Sequence, residues 1–114
     1  MAYLRRYGGP YILEISGGKI REYGGPWLYT IDNGMLRKYG GPYEFDLRDG
    51  RLIRRYGGPW LMEFDNHYIR RYGGPYIAEW TGRYFRRYGG AWEYEVVGFI
   101  THEELMALII LLYL

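Results

Sequence analysis

The chain has 114 residues, of which 48% are hydrophobic and 25% are charged, with a formal net charge of +2 and no cysteine. This length and this apolar share are typical of one soluble globular domain and exclude a disordered chain. Disulfides and thiolate chemistry are excluded, and the near-neutral charge does not call for an acidic partner. The N-terminus lacks the apolar core of a signal peptide, so a cytoplasmic location is the default expectation.

The phrase Tyr-Gly-Gly divides the chain into short units. It begins at Tyr7, Tyr23, Tyr39, Tyr56, Tyr72 and Tyr88, with spacings of 16, 16, 17, 16 and 16 residues. A repeat this short indicates one small supersecondary unit copied in series, because each unit is too small to bury its own apolar face.

The first predicted element is a lone strand over residues 3–7, and five complete β-hairpins follow it. In the hairpin over residues 26–39, apolar and polar residues alternate with the period of two that is typical of a strand. Asn33 and Gly34 are a strong hairpin signal, because a type I′ turn needs a positive φ at both positions. Gly-Gly-Pro then reverses the chain again, with the proline at a strand start where its missing N–H does no harm.

The register of each hairpin follows from folding it about its turn, since residues directly opposite each other share a face. Four copies then place a carboxylate opposite an arginine, and in the remaining copy Thr30 faces Arg37. The four pairs are Glu14 with Arg21, Asp46 with Arg54, Glu63 with Arg70, and Glu79 with Arg86. All five copies also pair two apolar residues, namely Ile15 with Ile20, Ile31 with Leu36, Leu47 with Ile53, Phe64 with Ile69, and Trp80 with Phe85.

Alternation assigns one face of the sheet to the core. The predicted core residues are Tyr11, Leu13, Ile15, Trp27, Tyr29, Ile31, Tyr43, Phe45, Leu47, Trp60, Met62, Phe64, Tyr76, Ala78, Trp80, Trp92, Tyr94 and Val96. Arg6, Lys38, Arg55, Arg71 and Arg87, with Glu22 in the same place, fall on this side too, with their charged heads at the rim. Such a ring of cations at one barrel mouth could hold an anion. The opposite face carries the carboxylate–arginine pairs and the repeat tyrosines, flanked by Ile12, Leu28, Leu61 and Ile77.

The last predicted strand, over residues 92–97, also lacks a partner from its own unit. Paired with residues 3–7 it completes a sixth hairpin, with Glu95 opposite Arg5 and Val96 opposite Leu4. The two strands can meet within one molecule and close the sheet. The alternatives are an open hairpin solenoid, or a head-to-tail filament in which they pair between molecules.

The C-terminal segment favours closure. Thr101 and Glu104 have the spacing of a helix capping box. The residues that follow are apolar on every side, which is typical of a buried helix, and they are too few to span a bilayer. We therefore predict an all-β protein of six tandem antiparallel hairpins, closed or nearly closed into a barrel or ring around the C-terminal helix. The whole chain, 1–114, is expected to be one domain, with the hairpin array over 3–97 and the helix over 101–114.

The repeat arginines and tyrosines form a candidate binding surface. Its residues are Arg5, Arg21, Arg37, Arg54, Arg70, Arg86, Tyr7, Tyr23, Tyr39, Tyr56, Tyr72 and Tyr88. Cations interleaved with aromatic rings could bind a glycan or an anionic polymer, including nucleic acid. In the alternative interpretation, each arginine pairs with its cross-strand carboxylate and lies over a tyrosine ring.

No motif predicts catalysis. His67 falls in a hairpin turn and His102 at a helix start, without a carboxylate constellation around either. The Gly-Gly pairs link strands, whereas a phosphate-binding loop leads into a helix. We therefore expect no enzyme activity, cofactor or metal. The leading interpretation is a structural, assembly or interaction protein that self-associates as a homo-oligomer or filament. A binding module for a glycan or anionic polymer is the second.

Overall fold

The computed structural model describes residues 1–114 and contains twelve strands followed by one helix. The strands are β1 (Ala2–Arg6), β2 (Tyr11–Ser16), β3 (Lys19–Glu22), β4 (Trp27–Asp32), β5 (Met35–Lys38), β6 (Tyr43–Asp46), β7 (Leu52–Arg55), β8 (Trp60–Phe64), β9 (Tyr68–Arg71), β10 (Tyr76–Trp80), β11 (Tyr84–Arg87) and β12 (Trp92–Gly98). The helix α1 spans His102–Tyr113. No helix of this protein is both long enough and apolar enough to cross a membrane.

The strands form a closed antiparallel barrel in which each strand pairs with its neighbours in the chain and β1 pairs with β12. Leu4 lies opposite Val96 and Arg5 opposite Glu95, as predicted. The two terminal strands therefore complete a sixth pair within one molecule, and no strand edge stays open. This pairing excludes the open solenoid and a filament built through the terminal strands.

The hairpins have the predicted turns and registers. Asn33 and Gly34 have φ values of 53° and 75°, as a type I′ turn requires. All four carboxylate–arginine pairs lie directly opposite each other. One predicted apolar pair differs: β6 ends at Asp46, so Leu47 lies beyond the ladder, although it and Ile53 are both buried in the core.

A β-bulge at each junction between successive hairpins corrects the predicted faces. Ile20 pairs with Tyr29 and Arg21 with Trp27, so Leu28 is an extra residue in β4. An extra residue reverses the alternation, and Trp27 therefore lies on the outer wall beside Arg21. The same shift occurs at all six junctions. The core assignment was therefore wrong for Tyr11, Trp27, Tyr43, Trp60, Tyr76 and Trp92.

The bulges also bring predicted outer residues inward. Ile12, Leu61 and Ile77, which alternation placed on the outer face, pack against the core. The outer wall is consequently less aliphatic and more aromatic than the sequence pattern indicated.

The helix α1 fills the barrel. Residues Met106, Ala107, Leu108 and Ile109 have no exposed surface and belong to one core cluster with residues of the sheet. The capping box is present, since the Thr101 hydroxyl accepts the Glu104 N–H at 3.1 Å and the Glu104 carboxylate accepts the Thr101 N–H at 2.9 Å.

The ends of α1 define two different mouths of the barrel. At the first turn, Glu104 accepts the N–H of Gly18, a hairpin-turn residue, at 2.9 Å. At the last turn, the Tyr113 hydroxyl donates to Glu93, just after a Tyr-Gly-Gly loop, at 2.9 Å. The helix therefore runs from the mouth formed by the hairpin turns, the turn mouth, to the mouth formed by the Tyr-Gly-Gly loops, the loop mouth.

Candidate interaction surface

One arrangement of side chains recurs around the outer wall, and we call it the belt. At each junction between hairpins an arginine of one strand lies opposite the first aromatic residue of the next, and a repeat tyrosine directly follows the strand that carries the arginine. The belt comprises Arg5, Arg21, Arg37, Arg54, Arg70 and Arg86; Tyr7, Tyr23, Tyr39, Tyr56, Tyr72 and Tyr88; and Tyr11, Trp27, Tyr43, Trp60, Tyr76 and Trp92.

Five of the six belt arginines are paired with a buried carboxylate. The pairs and their shortest nitrogen–oxygen distances are Arg5–Glu95 at 2.5 Å, Arg21–Glu14 at 2.9 Å, Arg54–Asp46 at 3.1 Å, Arg70–Glu63 at 2.6 Å and Arg86–Glu79 at 2.9 Å. The side chains of these arginines are 33–34% exposed, whereas those of the carboxylates are at most 10% exposed. Each guanidinium is therefore held in place and compensated in charge.

Four of these carboxylates contact a second basic side chain that the repeat pattern did not assign. The second partners are Arg48 for Asp46, Arg51 for Glu63, His67 for Glu79 and Arg83 for Glu95. The bond from Arg48, helped by Arg54, lowers the pKa of Asp46 to about 2. Arg51 and Arg70 together lower the pKa of Glu63.

The pKa values of the other two carboxylates, Glu95 and Glu79, are also lowered by hydrogen bonds from two basic side chains. Bonds from Arg5 and then Arg83 lower the pKa of Glu95. For Glu79 the bond from Arg86 is the largest cause of a lowered pKa, and His67 contributes least. A spacing of twelve residues separates Arg51 from Glu63, His67 from Glu79 and Arg83 from Glu95. That spacing was the signal in the sequence for these second partners.

The first aromatic residue of each junction packs in one of two ways. Where it is tryptophan, the belt arginine lies over its ring, with 5.0 Å between the Arg21 guanidinium and the Trp27 centroid. Arg54 over Trp60 and Arg86 over Trp92 repeat this contact at 5.1 and 5.0 Å. The prediction that the arginines lie over the repeat tyrosines was therefore wrong: the bulge brings the tryptophans to that position.

Where the first aromatic residue is tyrosine, it packs on other aromatic rings. Tyr11 stacks on Tyr3 at 4.5 Å with an interplanar angle of 7°, and Tyr76 stacks on Tyr68 at 4.4 Å and 14°. Tyr43 instead meets the edge of Tyr56 at 5.4 Å. In the two stacks, one face of each ring is covered by its partner.

The six repeat tyrosines are 54–56% exposed, and the structure brings them all to the belt. Four of them contact a neighbouring ring, as Tyr23 does with Tyr11 at 5.4 Å. Tyr39 and Tyr72 make no ring–ring contact. These two phenol rings are therefore the least constrained part of the belt.

A second set of cations surrounds the end of α1 at the loop mouth. Arg6 lies over the Tyr94 ring, Arg55 over Phe45 and Arg87 over Tyr113, at 5.3–5.5 Å. Arg87 is also 3.8 Å from Glu93. Three of the five predicted rim cations, Arg6, Arg55 and Arg87, therefore lie over aromatic rings. Four members of the set form no ion pair: Arg6, Lys38, Arg55 and Arg71.

Comparison with other proteins adds nothing to this geometry. No protein-family model, curated protein or solved structure matches the chain. No group of three or more histidine, aspartate or glutamate side chains is placed to hold a metal ion. The interpretation of the belt therefore rests on its own contacts and charges.

Proposed function

We propose that this chain is a non-enzymatic interaction module that uses the belt to bind protein surfaces, and that its simplest partner is a second copy. The observation that carries the proposal is the sixfold recurrence of arginine and tyrosine, joined by tryptophan at three of the six junctions, on an outer wall without a free strand edge. These three residue types are the ones enriched at the energetic centres of protein interfaces.

Most of the belt side chains are held in place by neighbours before any partner arrives. Arg5 is held by Glu95, and Tyr11 is held between Tyr3 and Tyr23. Immobilising a free side chain on binding costs about 0.5–1.5 kcal/mol, and a side chain that is already fixed avoids much of this cost. Rigid tyrosines are also enriched among the contact residues of antibody binding sites.

The charge distribution favours a protein partner over a polyanion. Five belt arginines are compensated by buried carboxylates, and the chain carries a net charge of only +2. Binding to a polyanion draws its free energy from cations that replace condensed counterions, and a compensated arginine contributes little to that exchange. Two copies with so small a net charge also repel each other weakly.

Sedimentation velocity over a range of protein concentrations tests self-association. The informative variant is Tyr39→Ser with Tyr72→Ser, because neither ring supports another ring of the belt. The matched control is Lys38→Ser with Arg71→Ser, which changes the residue before each tyrosine, at the ends of β5 and β9. We expect association that persists at high salt, weakens in the tyrosine variant and is unchanged in the control. A parent chain that stays monomeric at all concentrations contradicts self-association.

A glycan or anionic polymer is the second candidate, supported by the four unpaired cations at the loop mouth. Retention on heparin that falls steeply with salt is the expected signature of this function. The variant pair then has the opposite outcome: Lys38→Ser with Arg71→Ser weakens retention, and the tyrosine variant does not. The same two proteins therefore distinguish the two functions.

A further inference from the structure

The second hairpin breaks the pairing rule of the belt at one position. Thr30, on β4, stands opposite Arg37 where the other belt arginines face a carboxylate. The Thr30 hydroxyl and the Arg37 Nε are both buried and without a hydrogen-bond partner. Unsatisfied buried polar groups are rare and costly, so this pair needs an explanation.

Two other belt arginines, Arg21 and Arg86, also have a buried Nε without an assigned hydrogen bond, but both are paired with a buried carboxylate. Arg21 Nη2 donates to Glu14 at 2.9 Å, and Arg86 Nε itself lies 2.9 Å from Glu79. Arg37 has only a loose ion pair with the exposed Asp32. Its Nη1 donates to the Gly41 carbonyl at 3.1 Å, and its Nη2 is 3.6 Å from Asp32, too far for a hydrogen bond.

The neighbouring strand on the other side of Thr30 places a positively charged residue beside it. Lys19 of β3 lies directly opposite Thr30, so Thr30 is flanked by Lys19 and Arg37. In the other five junctions the residue at the Lys19 position is apolar or aromatic: Tyr3, Met35, Leu52, Tyr68 and Tyr84. At this one place, therefore, the chain removes a buried carboxylate and adds a positive charge.

We propose that this position, which we call the Thr30 site, binds a carboxylate group that a ligand supplies. The Arg37 Nε and the Thr30 hydroxyl donate hydrogen bonds to it, and Lys19 adds attraction from the opposite strand. A planar guanidinium matches a carboxylate in geometry, and the other five strand pairs of the hairpin type, β1–β12 included, show this pairing built from the chain itself. A shallow depression lined by Asp32, Arg37, Gly41, Pro42 and Tyr43 opens beside the arginine, so a ligand would approach the Thr30 site from the side of Arg37.

Asp32 is the internal competitor of this ligand. Its side chain is 45% exposed and makes no hydrogen bond to Arg37 at 3.6 Å, so it can leave toward solvent when a carboxylate arrives. Replacing Asp32 by asparagine removes the competing charge, and we expect carboxylate binding to tighten. The Thr30 site does not depend on the proposed function of the belt, because it needs only the local contacts of β3, β4 and β5.

Titration with acetate, followed through the ¹H–¹⁵N resonance of the Arg37 Nε–H, tests the proposal. We expect a saturable shift in the parent chain and a tighter one in Asp32→Asn. Thr30→Val keeps the side-chain volume and should weaken binding about tenfold, as the loss of one hydrogen bond to a charged group predicts. Thr30→Glu restores the repeat pattern, so it should fold, show the shifted resonance without acetate, and lose the response to acetate.

A second titration distinguishes a carboxylate on a partner's side chain from a small free carboxylate. A short blocked peptide with one glutamate is compared with the same peptide carrying glutamine. A response to the glutamate peptide alone means that an acidic side chain of a partner fits, and a response to acetate alone means that only a small free carboxylate does. The proposal is overturned if neither probe produces a saturable shift, or if Thr30→Glu responds to acetate as the parent chain does.

Discussion

Arg5 donates a hydrogen bond of 2.7 Å to Glu95, a residue 90 positions later in the chain. The same kind of pair within a hairpin, Arg21 with Glu14, joins residues only seven positions apart. Closing the longer loop costs about 2 kcal/mol more in chain entropy. The Arg5–Glu95 pair therefore lies at the seam where the barrel is most costly to close.

Glu95→Gln should destabilise the seam more than the equivalent change elsewhere. The carboxylate is buried and bonds both Arg5 and Arg83, so its loss should cost about 1–3 kcal/mol in the free energy of unfolding. The amide hydrogens of β1 should also exchange faster in Glu95→Gln than in the parent chain. The matched control is Glu63→Gln, which also removes two arginine bonds but within adjacent hairpins. Equal protection of β1 in both variants would contradict a special role for the seam.

Leu108→Ala should show that the helix is part of the core. Leu108 has no exposed surface, and truncating such a side chain costs about 2–5 kcal/mol because it leaves a cavity. Leu114, at 41% exposure, is the control, and Leu114→Ala should change stability by less than about 0.5 kcal/mol. Urea unfolding followed by circular dichroism measures both. Similar midpoints for the two variants would mean that α1 is not buried.

The stability of the barrel should fall in acid through Asp46. Its pKa is about 2 in the folded chain against an ordinary 3.8, chiefly because Arg48 donates to it. A folded-state pKa below the unfolded value means that the stabilisation is complete above about pH 4 and is lost as the pH falls toward 2. With both arginines partly in solvent, we expect this loss to be about 1–2 kcal/mol.

Urea unfolding of the parent chain and of Asp46→Asn at several pH values measures this contribution. The variant should lose less stability than the parent chain between pH 4 and 2. The lowered pKa values of Glu63, Glu79 and Glu95 act in the same direction and remain in both proteins. Parallel pH profiles would show that Asp46 does not titrate as described.

Fluorescence distinguishes the two faces that the bulges define. Trp80 is 9% exposed in the core, whereas Trp92 is 37% exposed on the belt. We expect a variant that keeps only Trp80, with phenylalanine at the other three positions, to emit at shorter wavelength and resist acrylamide quenching. The variant that keeps only Trp92 should be quenched readily. Equal quenching of the two would place Trp92 in the core, where uninterrupted alternation had assigned it.

Local signals in the sequence were sufficient to predict most of the fold. Asn33-Gly34 defines a turn, and folding about that turn pairs Ile31 with Leu36 and Thr30 with Arg37, as the structure confirms. Closure followed from the two strands without partners, β1 and β12, together with an apolar segment that needed an enclosing wall.

The bulges were not predictable from the period of two. Alternation is counted along one strand, but a bulge is a relation between two strands. Ile12, Leu61 and Ile77 are apolar, and so are the residues on either side of them. Moving one of these residues from one face of the sheet to the other therefore does not change the order of apolar and polar residues in the sequence. The composition of the belt, and with it the contact of Arg21 with Trp27, became visible only from the pairing of β3 with β4.

The order of the elements has a consequence for synthesis. Ribosomes make β1 first, yet its partner β12 follows only after all the other strands, and the helix that fills the lumen follows β12. A nascent chain therefore carries a curved, unclosed sheet with an apolar concave side for most of its translation. Such transiently uncovered surface is the kind that chaperones bind. We expect this surface to be covered once α1, His102–Tyr113, has left the exit tunnel and entered the barrel.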